Sequence, residues 1–114
     1  MLCVQSATAQ INETQAIRAV VGEASGESYA CQLAICSVIR NRGSLDGIYG
    51  GISHHVDKEP KWVWIQVRKA WLESATNNTA RACVFWGGIM DDKYFRRVLH
   101  KRPFFVIDHT RFYK

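Results

Sequence analysis

The sequence lacks any long apolar run. No stretch of its 114 residues approaches the ~20 consecutive apolar residues that a membrane helix requires, so we expect no membrane span. It also lacks repeats and low-complexity tracts, and its 47% hydrophobic and 22% charged residues are near globular averages. These absences exclude a disordered or repetitive chain. The length suits one domain with a hydrophobic core and is too short for two.

Several catalytic motifs are missing. The histidines, His54, His55, His100 and His109, do not have the spacing of a helical zinc site. No serine or cysteine lies in a GxSxG elbow, and neither GxGxxG nor GxxxxGK[ST] occurs. We therefore expect no metal, no nucleotide cofactor and no acyl-enzyme chemistry.

The cysteines form neither a zinc pattern nor a disulfide framework. Cys31 and Cys36 lie on a predicted helix, about 140° apart around its axis, so they point away from each other. We expect no bond between them and predict that they are small buried hydrophobic residues.

Acidic residues are fewer than basic ones, and the net charge of +5 favours an acidic partner: nucleic acid, an anionic cell wall or a membrane surface. Aromatic residues flank the densest basic cluster, which comprises Arg96, Arg97, Lys101 and Arg102. Such a cluster suits a nucleic acid, an anionic glycan or simply a solvated face. We expect no nucleic acid partner and a monomer.

The first eleven residues do not match a complete export signal. Ala7-Thr8-Ala9 resembles a cleavage site, but the apolar stretch is short and no lysine or arginine precedes Arg18. We expect residues 1–11 to be an N-terminal tail or a truncated leader, and residues 12–114 to form the domain.

Helical periodicity dominates the first two thirds of the domain. A helix is predicted over 13–24 with Asn12 as its cap. A second helix, which we expect to be the most buried element, is predicted to begin after a Ser28 cap and to stop at Asn41-Arg42-Gly43. A glycine-rich surface loop over 43–58 precedes a third helix over 60–74, whose tryptophans we expect in the core.

Short strands are predicted in the last third. Residues 82–86 and 104–107 have strand composition, residues 111–113 either end the second strand or form a third, and 91–99 suits a short helical turn. Together these elements predict an α+β fold with a mainly helical core and a small antiparallel sheet of two or three short strands.

The candidate catalytic residue lies in the stretch GEASGE, at 22–27. An apolar helix leads to Glu23, and a carboxyl in such surroundings has a raised pKa or a partner. Glu27 would share a face with Glu23 on a continuous helix, but Gly26 argues against continuity. We therefore expect the two acids to diverge, with Glu27 near the start of the second helix.

This stretch, followed by Gln32-Leu33-Ala34-Ile35-Cys36-Ser37-Val38-Ile39-Arg40-Asn41-Arg42, resembles the SleB-type cell wall hydrolase family, whose pattern is EAxGE and then GQxAVxxVxxNR. The segments 78–86 and 107–113 resemble the family's DPTxGAxxFY-like and IGxHxFY segments. The resemblance spans roughly 15–114. Cys31 replaces the usual glycine, Arg81 and Cys83 occupy or adjoin expected small residues, and Thr110 falls where the family has histidine unless a one-residue shift restores His109.

The resemblance implies a lysozyme-like fold and cleavage of peptidoglycan glycan strands between N-acetylmuramic acid and N-acetylglucosamine. Glu23 would be the single acid and base of a lytic transglycosylase mechanism, which suits a sequence offering one convincing carboxyl. The implied substrate-binding residues are Glu27, Tyr29, Thr79, Trp86 and Tyr113. Action on a cell wall would imply a secreted, periplasmic or phage-delivered protein.

Two alternatives remain open. The departures at Arg81 and Thr110 would suit a non-catalytic cell-wall-binding module of the same fold. The basic stretch 96–102 would suit a nucleic-acid-binding domain.

Overall fold

The structure, a computed structural model, describes residues 11–114. The predicted tail or leader therefore lies outside the described residues except for Ile11, which packs against the core. The helices are α1 (Glu13–Ala24), α2 (Tyr29–Arg42), α3 (Lys61–Ser74) and α4 (Ile89–Arg97), and the strands are β1 (Phe85–Gly87), β2 (Phe105–Ile107) and β3 (Thr110–Tyr113). Two single 3₁₀ turns, Gly50–Ile52 and Val56–Lys58, lie in the long loop between α2 and α3.

Side-chain caps start the first two helices where the sequence predicted. The Asn12 side chain accepts a hydrogen bond from the Gln15 N–H at 3.0 Å, and Ser28 accepts one from the Cys31 N–H at 3.2 Å. α2 ends at Gly43, whose φ of 73° is the left-handed conformation that glycine adopts at low cost. Pro60 directly precedes α3. The predicted extents of α1, α2 and α3 are confirmed within one residue at each end.

α2 is the central element of the core, as predicted. Every residue from Cys31 to Ile39 is buried, and α1 and α3 pack against it. Only part of the aromatic face of α3 joins this core, because Trp71 is buried and Trp64 packs partly against it, whereas Trp62 is exposed. The Arg40 guanidinium lies 3.9 Å from the centroid of the Trp71 ring and ties α2 to α3.

The sheet is antiparallel with the order β1-β3-β2. Trp86 pairs with Phe112, and Val106 pairs with Arg111. The prediction of a strand over 82–86 was displaced, since residues 82–84 precede β1. The short turn expected over 91–99 is instead the nine-residue helix α4, because Asp91 caps its start and Phe95 stacks on Tyr113 with ring centroids 4.0 Å apart.

These elements form an α+β fold with a mainly helical core and a three-stranded antiparallel sheet over residues 11–114, as the sequence predicted. None of the helices in this range is both long and apolar enough to cross a membrane.

Candidate active site

A cleft of about 820 Å³ opens between the end of α1, strand β1 and helix α4. Its lining combines three acids, an arginine, a histidine and several aromatic or aliphatic side chains. Its polar lining residues are Glu23, Glu27, Asp91, Arg42, His109 and Thr110, and its larger apolar ones are Ile35, Ile48, Phe85, Trp86, Ile89, Met90, Tyr94 and Phe95. A concave, largely apolar site with a few convergent polar groups is the usual form of a ligand site.

Glu23 lies in the last turn of α1 and is open to solvent through the cleft. The crowded surroundings of its carboxyl desolvate the charged form and raise its pKa, and the negative charge of Asp91 raises it further. The nearby Gly50 backbone favours the carboxylate and acts in the opposite direction. A raised pKa keeps more of this carboxyl protonated near neutral pH, as a general acid requires. Val20 and Val21, which precede Glu23 on α1, are buried in the core.

Two glycines allow the long loop to reach Glu23. A Cβ on Gly22 would lie 1.8 Å from the Gly50 carbonyl oxygen, and a Cβ on Gly50 would lie 2.6 Å from Glu23 Cγ. The backbone of the loop therefore packs directly against the backbone of α1, which no other residue type permits at this distance. The sequence indicated only that Gly22 belonged to a helix and Gly50 to a loop.

Arg18 fastens the same loop to α1 farther from the cleft. Its guanidinium binds both carboxylate oxygens of Asp57, at 2.7 and 2.9 Å, and its Nε donates to the Gly51 carbonyl at 2.7 Å. This bidentate pair lowers the pKa of Asp57, chiefly through the hydrogen bonds from Arg18. The loop is thus held against α1 at Gly50, Gly51 and Asp57.

Glu27 shares the cleft with Glu23, which corrects the expectation that the two acids diverge. The chain does leave the helix after Ala24, but the turn keeps Glu27 on the cleft side, where the Thr110 hydroxyl lies 3.5 Å from its carboxylate. The buried Gln32 side chain holds this turn, because its amide donates to the Ala24 carbonyl at 2.9 Å. The side-chain carbonyl of Gln32 in turn accepts a hydrogen bond from the Gln66 amide at 2.9 Å.

Asp91, His109 and Thr110 bring the C-terminal third of the chain to the cleft. Asp91 also accepts the Gly88 N–H at 2.9 Å, so the same carboxylate starts α4 and faces Glu23. We did not predict Asp91 as a site residue, since nothing in its local sequence separates it from Asp92. Both His109 and Thr110 line the cleft. The hydroxyl of Thr110, the residue that departs from the pattern of the similar family, lies beside Glu27, and the histidine that precedes Thr110 also lines the cleft.

An aromatic wall faces the acids. Trp86, predicted to bind substrate, lines the cleft on β1 beside Phe85, and Tyr94 lines it from α4. Arg42 supports this wall from α2, because its guanidinium lies 5.7 Å from the Phe85 ring centroid and also donates to the Asp46 carbonyl. Asn41 anchors the preceding turn by donating to the carbonyls of Arg81 at 2.8 Å and Cys83 at 2.9 Å. The Asn41-Arg42 pair thus fixes one wall of the cleft.

Three predicted substrate-binding residues lie outside the cleft lining. The Tyr29 hydroxyl donates to Glu73 at 2.6 Å and joins α2 to α3, and burial raises the pKa of Tyr29 to about 12. Thr79 is half-buried, and its backbone N–H donates to Ser37. Tyr113 is buried behind the cleft wall, where its hydroxyl donates to Asp92 at 2.5 Å. The structure gives these residues packing contacts and not cleft contacts.

Metal-ligand clusters and reactive thiols were also sought among residues 11–114. No group of three or more His, Cys, Asp or Glu side chains in residues 11–114 is placed to hold a metal ion. Cys31, Cys36 and Cys83 are free and buried, as predicted, and burial raises the pKa of Cys31 to about 11 and of Cys36 to about 12. These thiols stay protonated at neutral pH and are poor nucleophiles. The remaining cysteine, Cys3, lies outside the described residues.

Comparisons of the chain with protein-family models, with curated proteins and with solved structures gave no match.

Proposed function

We propose that this protein cleaves the glycan strand of peptidoglycan between N-acetylmuramic acid and N-acetylglucosamine, with Glu23 as the catalytic acid and base. The observation that carries the proposal is the Glu23 carboxyl, whose pKa is raised and which lines an aromatic-walled cleft. Glycosidic bond cleavage needs a protonated carboxyl beside the leaving oxygen. The lysozyme-like form of the fold and the family resemblance remain part of this proposal.

In the transglycosylase reaction, Glu23 first donates its proton to the glycosidic oxygen as the bond from that oxygen to muramic acid C1 breaks. Glu23, now a carboxylate, then accepts the proton of the muramic acid 6-hydroxyl as that oxygen bonds to C1. The product is a 1,6-anhydro ring, the carboxyl regains its proton, and no water is consumed. One carboxyl is enough for both steps.

The presence of Glu27 and Asp91 in the same cleft also favours a hydrolytic variant of this reaction. A second carboxylate would activate water or stabilise the cationic transition state. Asp91 is the better candidate, since its charge acts on Glu23. Asp57 is bound to Arg18 outside the cleft lining and is not a candidate.

Mass spectrometry of the products released from purified sacculi tests the proposal. Muropeptides ending in 1,6-anhydro rings are expected, and these are lighter than reducing-end products by one water. Reducing ends alone would overturn the transglycosylase reaction and favour hydrolysis with Asp91. Binding to sacculi without any release would overturn the catalytic proposal and support a non-catalytic wall-binding module.

A further inference from the structure

A second concavity lies at the far end of α4 and is lined entirely by basic side chains. It measures about 380 Å³, and its lining residues are Arg96, His100, Lys101 and Arg102. The chain reverses there, with the Lys101 N–H donating to the Phe95 carbonyl at 2.8 Å and His100 at a left-handed φ of 55°. This reversal folds residues 100–102 back toward Arg96 and concentrates their charge.

Not all of this charge is neutralised within the protein. Arg96 pairs with Asp92 at 2.6 Å, and the Lys101 ammonium donates to the Lys114 carbonyl at 2.7 Å. Among residues 11–114, no side-chain hydrogen bond or ion pair involves Arg102 or His100. Arg102 therefore presents a free guanidinium, whose geometry suits the two oxygens of a carboxylate.

An exposed apolar track runs along α4 from the cleft toward the end of the helix at which the basic pocket lies. Met90 and Tyr94 on α4 and Val98, the helical residue that directly follows it, stand at intervals of four residues, so they lie on one face. Their exposed fractions are 74%, 53% and 56%. Met90 and Tyr94 line the cleft, and Val98 lies beside the reversal that forms the pocket.

We propose that this track and pocket bind the stem peptide of the substrate, with Arg102 receiving a peptide carboxylate while the glycan lies over Glu23. The inference rests on the proposed function. α4 has nine residues and is therefore about 13 Å long, and a four-residue extended peptide spans about 13–14 Å. A peptide attached to a sugar in the cleft is thus long enough to span α4 to the end at which the basic pocket lies. The predicted substrate is a peptide-bearing glycan strand and not a naked one.

Cleavage of two matched substrates tests this specificity. Wild-type protein is assayed on purified glycan strands that carry stem peptides and on the same strands stripped by an amidase. The Arg102→Gln variant is expected to lose about two- to fivefold in kcat/KM on peptide-bearing strands, the range for an exposed ion pair, and nothing on stripped strands. Lys61→Gln is the charge-matched control, since Lys61 is exposed and lines neither concavity.

Four other results would overturn the stem-peptide site. Equal wild-type rates on both substrates, or an unchanged preference in Arg102→Gln, would overturn the stem-peptide site and leave the proposed function standing. Cleavage of neither substrate would overturn both proposals. Salt-sensitive binding of an oligonucleotide that Arg102→Gln abolishes, without any effect of stem peptide, would make the pocket a nucleic-acid site and overturn the inference.

Discussion

Replacing Gly50 with alanine would disturb Glu23 directly. The new Cβ would lie 2.4 Å from the Ala19 carbonyl oxygen, 2.6 Å from Glu23 Cγ and 2.8 Å from the Glu23 nitrogen. Two of these atoms belong to the α1 backbone, so a rotamer change cannot relieve the overlap. The loop must move away from α1, and the Gly50 backbone, which favours the Glu23 carboxylate, moves with it. Overpacking of this kind costs about 1–3 kcal/mol in stability.

The Gly50→Ala substitution should reduce the rate of catalysis by more than the loss of folded protein accounts for. A shift of about 1 Å in a catalytic group can reduce the rate roughly 100-fold. Muropeptide release from sacculi measures the activity, and thermal unfolding measures stability, where 1 kcal/mol corresponds to roughly 4–8 °C for a domain of this size. Gly26→Ala is the matched control, because a Cβ at Gly26 meets nothing within 4 Å. Wild-type activity and melting temperature in Gly50→Ala would refute the role of the loop contact.

Three further predictions concern the surroundings of Glu23. Asp91→Asn keeps the helix cap but removes a negative charge that raises the Glu23 pKa, so this pKa should fall. The alkaline limb of the kcat/KM profile should then move to lower pH, and a move to higher pH would contradict the role of Glu23 as the general acid. Arg18→Gln should release the loop from α1 and speed amide hydrogen exchange around Gly50, and unchanged exchange would show that the clamp is dispensable. Gln32→Leu should lower the free energy of unfolding by about 1–3 kcal/mol in denaturant titrations, because two hydrogen bonds are lost: the Gln66 amide loses its partner and the Ala24 carbonyl keeps only the Glu27 N–H. A stability equal to the wild type would contradict that role.

Local signals were sufficient to predict the three long helices. Asn12 and Ser28 carry side-chain caps, Gly43 takes the left-handed cap, and the buried residues of α1 and α3 repeat at helical spacing. These features depend on neighbouring residues only, so they are readable before the fold is known. Glu23 could also be named as a candidate site residue from the sequence, since an acid at the end of an apolar helix without a nearby partner is unusual.

The rest of the site depends on contacts between distant segments. α4 forms because Asp91 caps it and Phe95 stacks on Tyr113, a partner from the last strand. The close approach of Gly22 and Gly50 is invisible in the sequence, where Gly22 lies in a predicted helix and Gly50 in a predicted loop. The turn that keeps Glu27 in the cleft needs Gln32 on the next helix. Tertiary packing of this kind also explains why Tyr29 and Thr79 fell outside the cleft lining.

The central claim is that Glu23 performs the chemistry, and the most direct test is the rate of muropeptide release from purified sacculi by Glu23→Gln. This variant keeps the size of the side chain but cannot exchange a proton. We expect the rate to fall by at least about 100-fold, the lower range for loss of general acid catalysis, while binding to sacculi persists. Release at the wild-type rate by a folded Glu23→Gln protein would contradict the account.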